Sequence, residues 1–296
     1  MNQRKGASVS DQTFPFKIGE FQCMTVKDGD SAFSVRSFFV NAPEDRLHQV
    51  LRQHRIQPGE IRVPWTCLYV NTGQHRLLVD TASRPGTAPG AGRLVPNLRA
   101  EGIEPADIDK VVLSHGHPDH IGGNTDDEGK AAFPNARYVM WKDEWEFWTS
   151  KEAVMEQLKV DRDTRRLMSA VAHKNLRRIQ DRFDLIDSDS EIAPGVRAIA
   201  APGHTPGHMA VAVSSAGEQL LHICDAVLSP VHLEHPEWRS LHDVLPEKAM
   251  ATRRRLLDWA AAEKLLVLAS HFPFPGLGRV IQKGKHWEWK PIEVSC

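Results

Sequence analysis

Four side chains of types that commonly bind metal ions stand within six positions of this 296-residue sequence. They are His115, His117, Asp119 and His120, and they directly follow an apolar run at 111–113 that predicts a strand. In an extended segment residues i and i+2 face the same way, so His115 and His117 can present two imidazoles to one ion. Asp119 and His120 can then face a neighbouring ion. The segment therefore predicts a metal site at a strand end.

Three more candidate ligands stand where predicted strands end. His204 lies in a Pro-Gly-His-Thr-Pro-Gly-His loop, and two Pro-Gly steps make such a loop rigid enough to hold a ligand still. Asp225 and His271 each follow an apolar run. An Asp or His after a strand is usually a turn residue. These two are candidates only because each falls, like the other candidate ligands, where a predicted strand ends. His208 is expected to support the site or to pack beside it rather than to bind metal.

Short β-branched and apolar runs must position these candidates. The predicted strands, which include two hairpins, lie at 66–70, 76–79, 110–113, 137–141, 196–200, 210–213, 219–224 and 265–268. Helices are predicted at 43–55, with Asn41 as N-cap, and at 246–264, with a proline in the first turn. This mixture predicts an α/β chain whose sheets are covered by helices.

The chain divides into two β-rich halves around a charged middle segment. Residues 1–20 are polar and irregular, which predicts a loose N-terminal arm. Residues 142–190 are rich in Lys, Glu, Arg and Asp, which predicts two helices inserted between the halves. Because the candidate ligands come from both halves, we expect 21–296 to form a single domain with a helical insertion at about 142–190.

The composition excludes several kinds of partner. Lys and Arg number 37 and Asp and Glu number 38, so no overall field attracts nucleic acid or anionic lipid. The longest stretch without charged side chains is broken by Pro, Gly, His and Ser, and the N-terminus lacks the apolar core of a secretory signal. We therefore expect a cytoplasmic protein that acts on a small molecule. The four cysteines are scattered, which argues against a disulfide framework or a cysteine zinc site.

The order of the candidate ligands resembles the metallo-β-lactamase superfamily. The family pattern is His-x-His-x-Asp-His, then a histidine in Gly-His-Thr-Pro-Gly-His, then a bridging Asp and a final His. All four parts occur here in order, over about 66–275. The resemblance implies an α/β (α+β) fold, a four-layer αβ/βα sandwich of two mixed sheets flanked by helices. It also implies a metal site at the edge of the sheets.

The resemblance also implies a role for each candidate. His115, His117 and His204 would bind one metal, and Asp119, His120 and His271 the other. Asp225 would bridge the two, and Asp80 would orient a ligand histidine from behind. Independently of the family, five imidazoles and two carboxylates suit two divalent metals of borderline softness. Zinc is the expected metal, although iron, manganese and cobalt accept the same donors.

Two such metals would define a hydrolase. Two divalent ions, two carboxylates and one hydroxide leave a residual positive charge, which favours an anionic transition state. Metal binding brings the pKa of water to about 7, so a bridging hydroxide can act as nucleophile at neutral pH. Asp119 would then pass a proton to the leaving group, a role that the resemblance suggests. Asp119 and Asp225 are thus the expected catalytic carboxylates.

Departures from the family pattern narrow the range of expected substrates. A class B β-lactamase usually lacks an Asp at the bridging position, so Asp225 argues against that activity. Leu228 stands where many acyl-homoserine lactonases carry a tyrosine that donates to the substrate carbonyl. The run at 271–278 looks more like the methyl-parathion-hydrolase-like branch. We therefore expect a compact, fairly apolar ester, lactone or organophosphate in a pocket formed by Leu228, Phe272 and Phe274.

Two other activities stay open. A glyoxalase II-type thioesterase shares the ligand set but binds glutathione through basic residues, and Arg239 and the basic run at 253–255 keep this alternative open. A persulfide dioxygenase-like redox enzyme usually needs one iron, so the complete second set of Asp119, His120 and His271 counts against it.

Aromatic residues and further histidines lie around these motifs. Trp141, Trp145 and Trp148 have the spacing of one helix face, which favours a core or subunit contact and weakly suggests a homodimer. The remaining histidines of the second half are expected to be exposed to solvent, namely His222, His232, His235 and His242.

Overall fold

Two seven-stranded sheets form the centre of the protein. The computed structural model describes residues 11–86, 90–150 and 157–293. The first sheet consists of β1 Thr13–Ile18, β2 Phe21–Ser34, β3 Glu60–Asn71, β4 Arg76–Val79, β5 Lys110–Val112, β6 Arg137–Trp141 and β7 Phe183–Ile186. Its strands follow chain order from β1 to β7. The pairs from β1 to β4 are antiparallel, and those from β4 to β7 are parallel.

The second sheet contains the rest of the strands of the described chain. They are β8 Ser190–Ala193, β9 Val196–Ala200, β10 Met209–Ser215, β11 Glu218–His222, β12 Leu266–Leu268, β13 Leu277–Lys283 and β14 His286–Pro291. They too follow chain order across the sheet. Only the β11–β12 pair in this sheet is parallel, because the long segment between these two strands crosses over before β12.

Helices cover the outer faces of both sheets. They are α1 Val35–Phe38, α2 Glu44–Gln53, α3 Leu94–Ala100, α4 Pro118–Ile121, α5 Lys142–Thr149, α6 Arg162–Ala172, α7 Val231–Glu234 and α8 Pro246–Ala262. A π-helical turn, His173–Arg177, continues α6. No helix of the described ranges is both long and apolar enough to cross a membrane.

The buried side chains explain the layers. On β3, Leu68 and Val70 belong to the apolar cluster between the two sheets, whereas Cys67 and Tyr69 face the cluster under the helices. This alternation is the two-residue period of a strand that is buried on both faces. A third cluster places Leu256 and Leu257 of α8 against the outer face of the second sheet. The molecule thus has the four layers and two mixed sheets expected from the sequence.

Most expected elements are confirmed, with four corrections. Residues Thr13–Ile18 are not part of a loose arm, because they pair with Phe21–Val26 along one edge of the first sheet. Residues 1–10 lie outside the described ranges. The segment 142–190 contains α5 and α6 but is not purely helical, since Phe183–Ile186 pairs in parallel with β6.

The other two corrections concern Asn41 and the tryptophans. Pro43 and not Asn41 precedes α2, and the Asn41 amide instead donates to the Glu237 carbonyl. The three tryptophans do not share a helix face, because Trp141 ends β6 and packs between the sheets. Trp145 packs on a phenylalanine ring of β7, and Trp148 lies against the candidate ligands.

Candidate metal centre

Loops at four strand ends bring seven candidate ligands together. The loop after β5 carries four of them, and α4 begins within it at Pro118. The loop after β9 carries His204, a short 3-10 turn after β11 carries Asp225, and the segment after β12 carries His271. Three overlapping groups hold ligand atoms within 4.8 Å of one another, drawn from His115, His117, Asp119, His120, His204, Asp225 and His271.

One group consists of three imidazoles. His117 Nδ1 lies 2.9 Å from His115 Nε2 and 3.0 Å from His204 Nε2. All three side chains are buried, at 5% exposure or less. The pairing of His115 with His117 is the one expected from the alternation of an extended segment, and His204 joins them from the other sheet.

A second group combines one carboxylate with two imidazoles. Asp119 Oδ2 lies 3.6 Å from His120 Nε2 and 3.6 Å from His271 Nε2. Asp119 is the most exposed of the three, at 22% of its side chain, so its carboxylate borders the open side of the site.

Asp225 lies between the two groups. Its Oδ2 is 3.4 Å from His204 Nε2 and 3.0 Å from His271 Nε2, so one oxygen faces a member of each group. Its Oδ1 is 3.4 Å from His120 Nε2. The arrangement is what a bridging carboxylate requires.

Side chains and carbonyls behind the imidazoles determine which nitrogen carries the proton. Acceptors bind the Nδ1 side of four rings: Ser114 Oγ at His115 (3.0 Å), Asp80 Oδ2 at His120 (2.8 Å), Asp243 Oδ1 at His204 (3.0 Å) and the Pro64 carbonyl at His271 (3.0 Å). Each ring can therefore donate through Nδ1 while its Nε2 faces the site.

The donor set fits two cations. His117 Nδ1 faces two Nε2 lone pairs and can donate a proton to only one of them. In addition His120 Nε2 and Asp225 Oδ1 are buried and have no hydrogen-bond partner among the described residues. Buried polar atoms are rarely left in this state unless a ligand satisfies them. Neutral imidazoles with carboxylates are donors that suit zinc and its neighbours in the first transition row.

The rings differ in protonation: burial keeps two of them neutral, whereas neighbouring carboxylates favour the protonated form of His120, whose Nε2 proton a bound cation would replace. Burial, with the neighbouring ring of His120, holds the pKa of His115 well below its usual value. Burial and His204 do the same for the pKa of His117, so both rings are neutral as metal ligands must be. Burial alone would lower the pKa of His120, but the charges of Asp225 and Asp119 raise it well above its usual value.

The expected supporting residues lie directly behind the ligands. Asp80 follows β4 with a positive φ of 63° and accepts the Ser114 N–H (2.7 Å) and hydroxyl (2.7 Å) besides His120. His208 Nε2 accepts the backbone N–H of Asp225 at 3.1 Å, and its Nδ1 donates to the Ala201 carbonyl. Burial lowers the pKa of His208 to about 4, which keeps Nε2 free to accept.

Asp243 is a supporting residue that sequence reasoning missed. Besides holding His204, its carboxylate lies 3.6 Å from Arg253 Nη2, and both side chains are fully buried. Arg253 also donates to the carbonyls of Ala226 and Trp238, so α8 anchors the turn that carries Asp225. The segment around Asp243 contains no recognisable sequence motif.

Glu144 of α5 is a second missed residue, and it joins the two histidine loops. Its Oε1 accepts the Gly116 N–H at 2.8 Å and the Trp148 indole N–H at 2.6 Å, while Oε2 accepts the Gly207 N–H at 2.9 Å. A Cβ at Gly116 would lie 2.3 Å from the Trp148 ring, and one at Gly207 would lie 2.4 Å from Glu144 N. Both glycines are therefore needed for α5 to approach.

The histidines expected to be exposed are not. His222 and His232 are fully buried, with hydrogen bonds to Ser270 Oγ and to the Phe38 carbonyl. His235 stacks on Trp238 with ring centroids 4.0 Å apart. His242 lines the cleft described next. The structure surrounds them with chain from distant segments, which their local sequence could not reveal.

An apolar cleft of about 310 Å³ opens onto the ligands. Its walls come from β2, β3, α1, the segment before α6, α6 itself and the segment after Asp225, through Phe33, Phe38, Val63, Trp65, Val160, Leu167, Met168, Val171 and Leu228. Leu228 thus lies where the sequence placed it. Leu167 of α6 is 64% exposed and stands at the rim.

The expected phenylalanine wall is wrong. Phe272 is fully buried in the cluster under α8 and packs on Trp289, with ring centroids 4.8 Å apart. The chain turns at 270–273, so His271 faces the site while the Phe272 ring lies on the side of α8. Phe274 is partly buried and does not line the cleft.

Comparison with known proteins identifies the family. The model of the metallo-beta-lactamase superfamily matches residues 63–271, and the chain belongs to this superfamily. An N-acyl homoserine lactonase of Bacillus thuringiensis is 25% identical over 256 residues, which cover 79% of this chain and 92% of the lactonase. The N-acyl homoserine lactonase AttM of Agrobacterium fabrum is 26% identical over 182 residues, covering 60% of this chain and 64% of AttM.

Two solved structures resemble the whole chain. One is AidC, described as a dizinc quorum-quenching lactonase and solved with a product, N-hexanoyl-L-homoserine. It is 28% identical with a TM-score of 0.91, and the match covers 96% of this chain and 99% of AidC. The other is the hydrolase AbOPH, which is 26% identical with a TM-score of 0.87 over 98% of this chain and all of AbOPH.

Proposed function

We propose that this protein is a dinuclear metal-dependent hydrolase of carboxylic esters and lactones, with N-acyl homoserine lactones as the first substrate class to test. The observation that carries the proposal is the junction of the ligand cluster with the apolar cleft. Asp119 and Asp225 border both, so a substrate lying in the cleft meets the cluster directly.

The proposed division of the ligands is the one that the family resemblance implies. His115, His117 and His204 would hold one cation, and Asp119, His120 and His271 the other, with Asp225 shared. Support comes from the convergence of imidazole nitrogens and from the unpartnered buried atoms of His120 and Asp225. Zinc is the proposed metal on the chemistry of the donors and on the description of AidC as a dizinc enzyme.

Two divalent cations in this site would supply a water activated near neutral pH and polarise the scissile carbonyl. The chain contributes the placement. Asp225 fixes the position of one group of ligands relative to the other, since its oxygens face members of both groups. Asp119, with its partly exposed carboxylate, can carry a proton from the site to the leaving oxygen.

The cleft favours an apolar acyl group. Carbon-rich side chains of α1 and α6 line it, and the charged side chains among its lining residues are those of the ligand cluster. An acyl chain bound there would bury apolar surface, which contributes roughly 25 cal/mol for each Å² removed from water. The relatives named as N-acyl homoserine lactonases support the same class.

A substrate panel on metal-loaded protein tests the proposal. The panel contains N-acyl homoserine lactones of four to twelve carbons, aryl esters, a phosphotriester, S-lactoylglutathione and a β-lactam, together with metal analysis. We expect two metal ions per chain and the highest kcat/KM on the lactones or aryl esters. Preference for S-lactoylglutathione would indicate the thioesterase alternative, and a single tightly held iron would indicate the dioxygenase. Either result would overturn the proposal.

A further inference from the structure

One wall of the cleft is a row of side chains from the β2–β3 pair. Trp65 and Val63 are two residues apart on β3, so their side chains point to the same face of the sheet. On β2, Ser31 pairs with Val63, and Phe33 comes two residues later on the same face. All four side chains line the cleft, so the row lies along whatever is bound there.

Trp65 is the member of this row nearest the candidate ligands. The Pro64 carbonyl accepts from His271 Nδ1 at 3.0 Å, and the Thr66 N–H donates to the Ser270 carbonyl at 3.1 Å. The backbone on both sides of Trp65 is therefore bonded to the segment that carries a ligand. The next side chain of the row follows two residues further along the strand, or about 7 Å. The row thus leads outward from the ligand cluster and begins at the Trp65 ring.

The Trp65 side chain is buried but is not part of the core. The residue is 6% exposed, yet it belongs to none of the apolar clusters that the described residues form. Its indole Nε1 is buried and has no hydrogen-bond partner among those residues. A buried indole N–H normally has a partner, because an unpaired buried donor destabilises the folded protein. The ring therefore brings an unpartnered donor to the cleft wall.

The rest of the row and the ligand cluster do not satisfy this donor. Val63 and Phe33 are apolar, and Ser31 is partly exposed, so solvent can satisfy its hydroxyl. The carboxylates of Asp119 and Asp225 face the imidazoles of the ligand cluster. The acceptor that the indole N–H lacks must therefore come from a bound molecule.

An N-acyl homoserine lactone carries a suitable acceptor. Its scissile carbonyl must lie at the ligand cluster, and one ring carbon and the amide nitrogen separate that carbonyl from the carbonyl of the acyl amide. The amide oxygen then lies just outside the cluster, where the row begins. We propose that Trp65 determines specificity: its indole N–H donates a hydrogen bond to the acyl-amide oxygen and favours N-acyl lactones over lactones with a plain alkyl chain. This inference rests on the proposed function.

The first experiment compares Trp65→Phe with wild type on two substrates. One is N-hexanoyl homoserine lactone, and the other is an α-alkyl-γ-butyrolactone with a chain of the same length but no amide. Trp65→Phe keeps an aromatic ring and removes the N–H. We expect kcat/KM to fall about 3- to 10-fold on the amide substrate and less than about 2-fold on the alkyl lactone. The loss should be mostly in KM, because the bond does not involve the reacting atoms.

Binding provides a readout that does not depend on turnover. An uncleavable N-hexanoyl homoserine lactam is titrated into the zinc-loaded proteins by calorimetry, and its Kd should rise about 3- to 10-fold in Trp65→Phe. In proton–nitrogen correlation NMR spectra, the indole resonance that Trp65→Phe lacks belongs to Trp65. We expect this resonance to shift when the lactam is added to wild type, since its proton enters a hydrogen bond.

Trp287→Phe is the matched control. Trp287 is 3% exposed and its indole N–H is also buried without a partner among the described residues, but it packs in the cluster under α8, outside the cleft. The variant should leave kcat/KM unchanged on both substrates, and the Trp287 resonance should stay in place on addition of the lactam. Metal content and circular dichroism should match wild type in both variants.

Several results would overturn the assignment. Equal losses on the two substrates in Trp65→Phe would indicate a structural role, and an unchanged KM for the amide substrate or an unmoved Trp65 resonance would exclude the contact. An amide-selective loss in Ser31→Ala that Trp65→Phe does not show would assign the contact to Ser31. If wild type hydrolyses alkyl lactones or aryl esters but neither hydrolyses nor binds the N-acyl compounds, this inference fails while a hydrolase remains. If it hydrolyses no ester or lactone, the proposed function fails and this inference fails with it.

Discussion

At the scale of single residues, Asp225 has the largest electrostatic role. Its carboxylate is 3% exposed, and burial alone would disfavour its charged form. The neighbouring rings of His120 and His271 nevertheless hold its pKa well below the usual range. Such a buried charge is tolerated only where cations or donors compensate it on both sides.

The substitution Asp225→Asn therefore distinguishes the effect of the side chain's charge from the effect of its shape. The amide keeps the size of the side chain but removes the negative charge shared by the two groups. We expect metal content to fall from two ions to one or fewer per chain and hydrolysis to fall by at least about 100-fold. Elemental analysis and steady-state kinetics measure the two effects. Asp258→Asn, on the exposed face of α8, is the control and should change neither. Two ions and full activity in Asp225→Asn would contradict the bridging role.

Residue types and spacing predicted which candidate ligands the fold brings together, and of the residues behind them they predicted Asp80 and His208 but not Asp243 or Glu144. His115, His117 and His120 stand in a local pattern whose geometry follows from an extended chain and a helix turn. Asp243 and Glu144 act across the fold from segments without a motif, so no local feature could identify them. The placement of Phe272 could not be predicted from its nearness to His271, because the chain turns there and packs the Phe272 ring under α8.

At the scale of elements, α5 couples the two sheets at the site. Glu144 binds one loop that follows β5 and another that follows β9, and Trp148 of the same helix lies 5.3 Å from His117 between ring centroids. The helix therefore controls the distance between His117 and His204.

Glu144→Gln tests this coupling. The carboxylate accepts a backbone N–H from each loop, one through each oxygen. A glutamine has a single accepting oxygen and can hold only one loop, so the other histidine loop is released. We expect the affinity for the metal held by His115, His117 and His204 to fall about 10- to 100-fold, the usual effect of losing a residue that orients ligands. Competition with a chromogenic chelator measures it. Glu146→Gln, exposed on the same helix, should bind as wild type does. Equal affinities in the two variants would rule out the coupling.

Sequence patterns predicted the elements with clear periodicity and missed others, among them the edge strand β1 and the long inner strand β2. The strand Arg137–Trp141 and the helix Pro246–Ala262 were found because their apolar spacing is regular. Strand β1 was missed because a six-residue run with a proline resembles a loop, and its pairing with β2 supplies the missing support. Strand β7 was hidden inside a charged segment for a similar reason, since only two of its four side chains are partly buried.

At the scale of the whole molecule, cations bound at this site would add to the free energy of unfolding. Several lone pairs converge without protons between them, and cations that bind only the folded state stabilise it by mass action. Each site filled at 1,000 times its Kd contributes about 4 kcal/mol.

Removal of metal should therefore lower the thermal midpoint. For a chain of this size we expect a fall of about 10 °C or more on treatment with EDTA, since 1 kcal/mol corresponds to roughly 2–4 °C. Scanning calorimetry before and after chelation measures the change, and zinc should restore the midpoint. Asp225→Asn should respond less than wild type to the chelator. A midpoint that is insensitive to EDTA would argue against metals as part of the folded state.

The strand-end origin of the ligands also has a consequence for folding kinetics. The loops that carry them lie after β5, β9, β11 and β12, so the site closes only when both sheets have formed and docked. Contacts between such distant segments require large loops to close, and they form late. Metal uptake is therefore expected to follow folding rather than to nucleate it. Metal ions held there would join the segments from His115 to His271 as non-covalent cross-links and would slow unfolding.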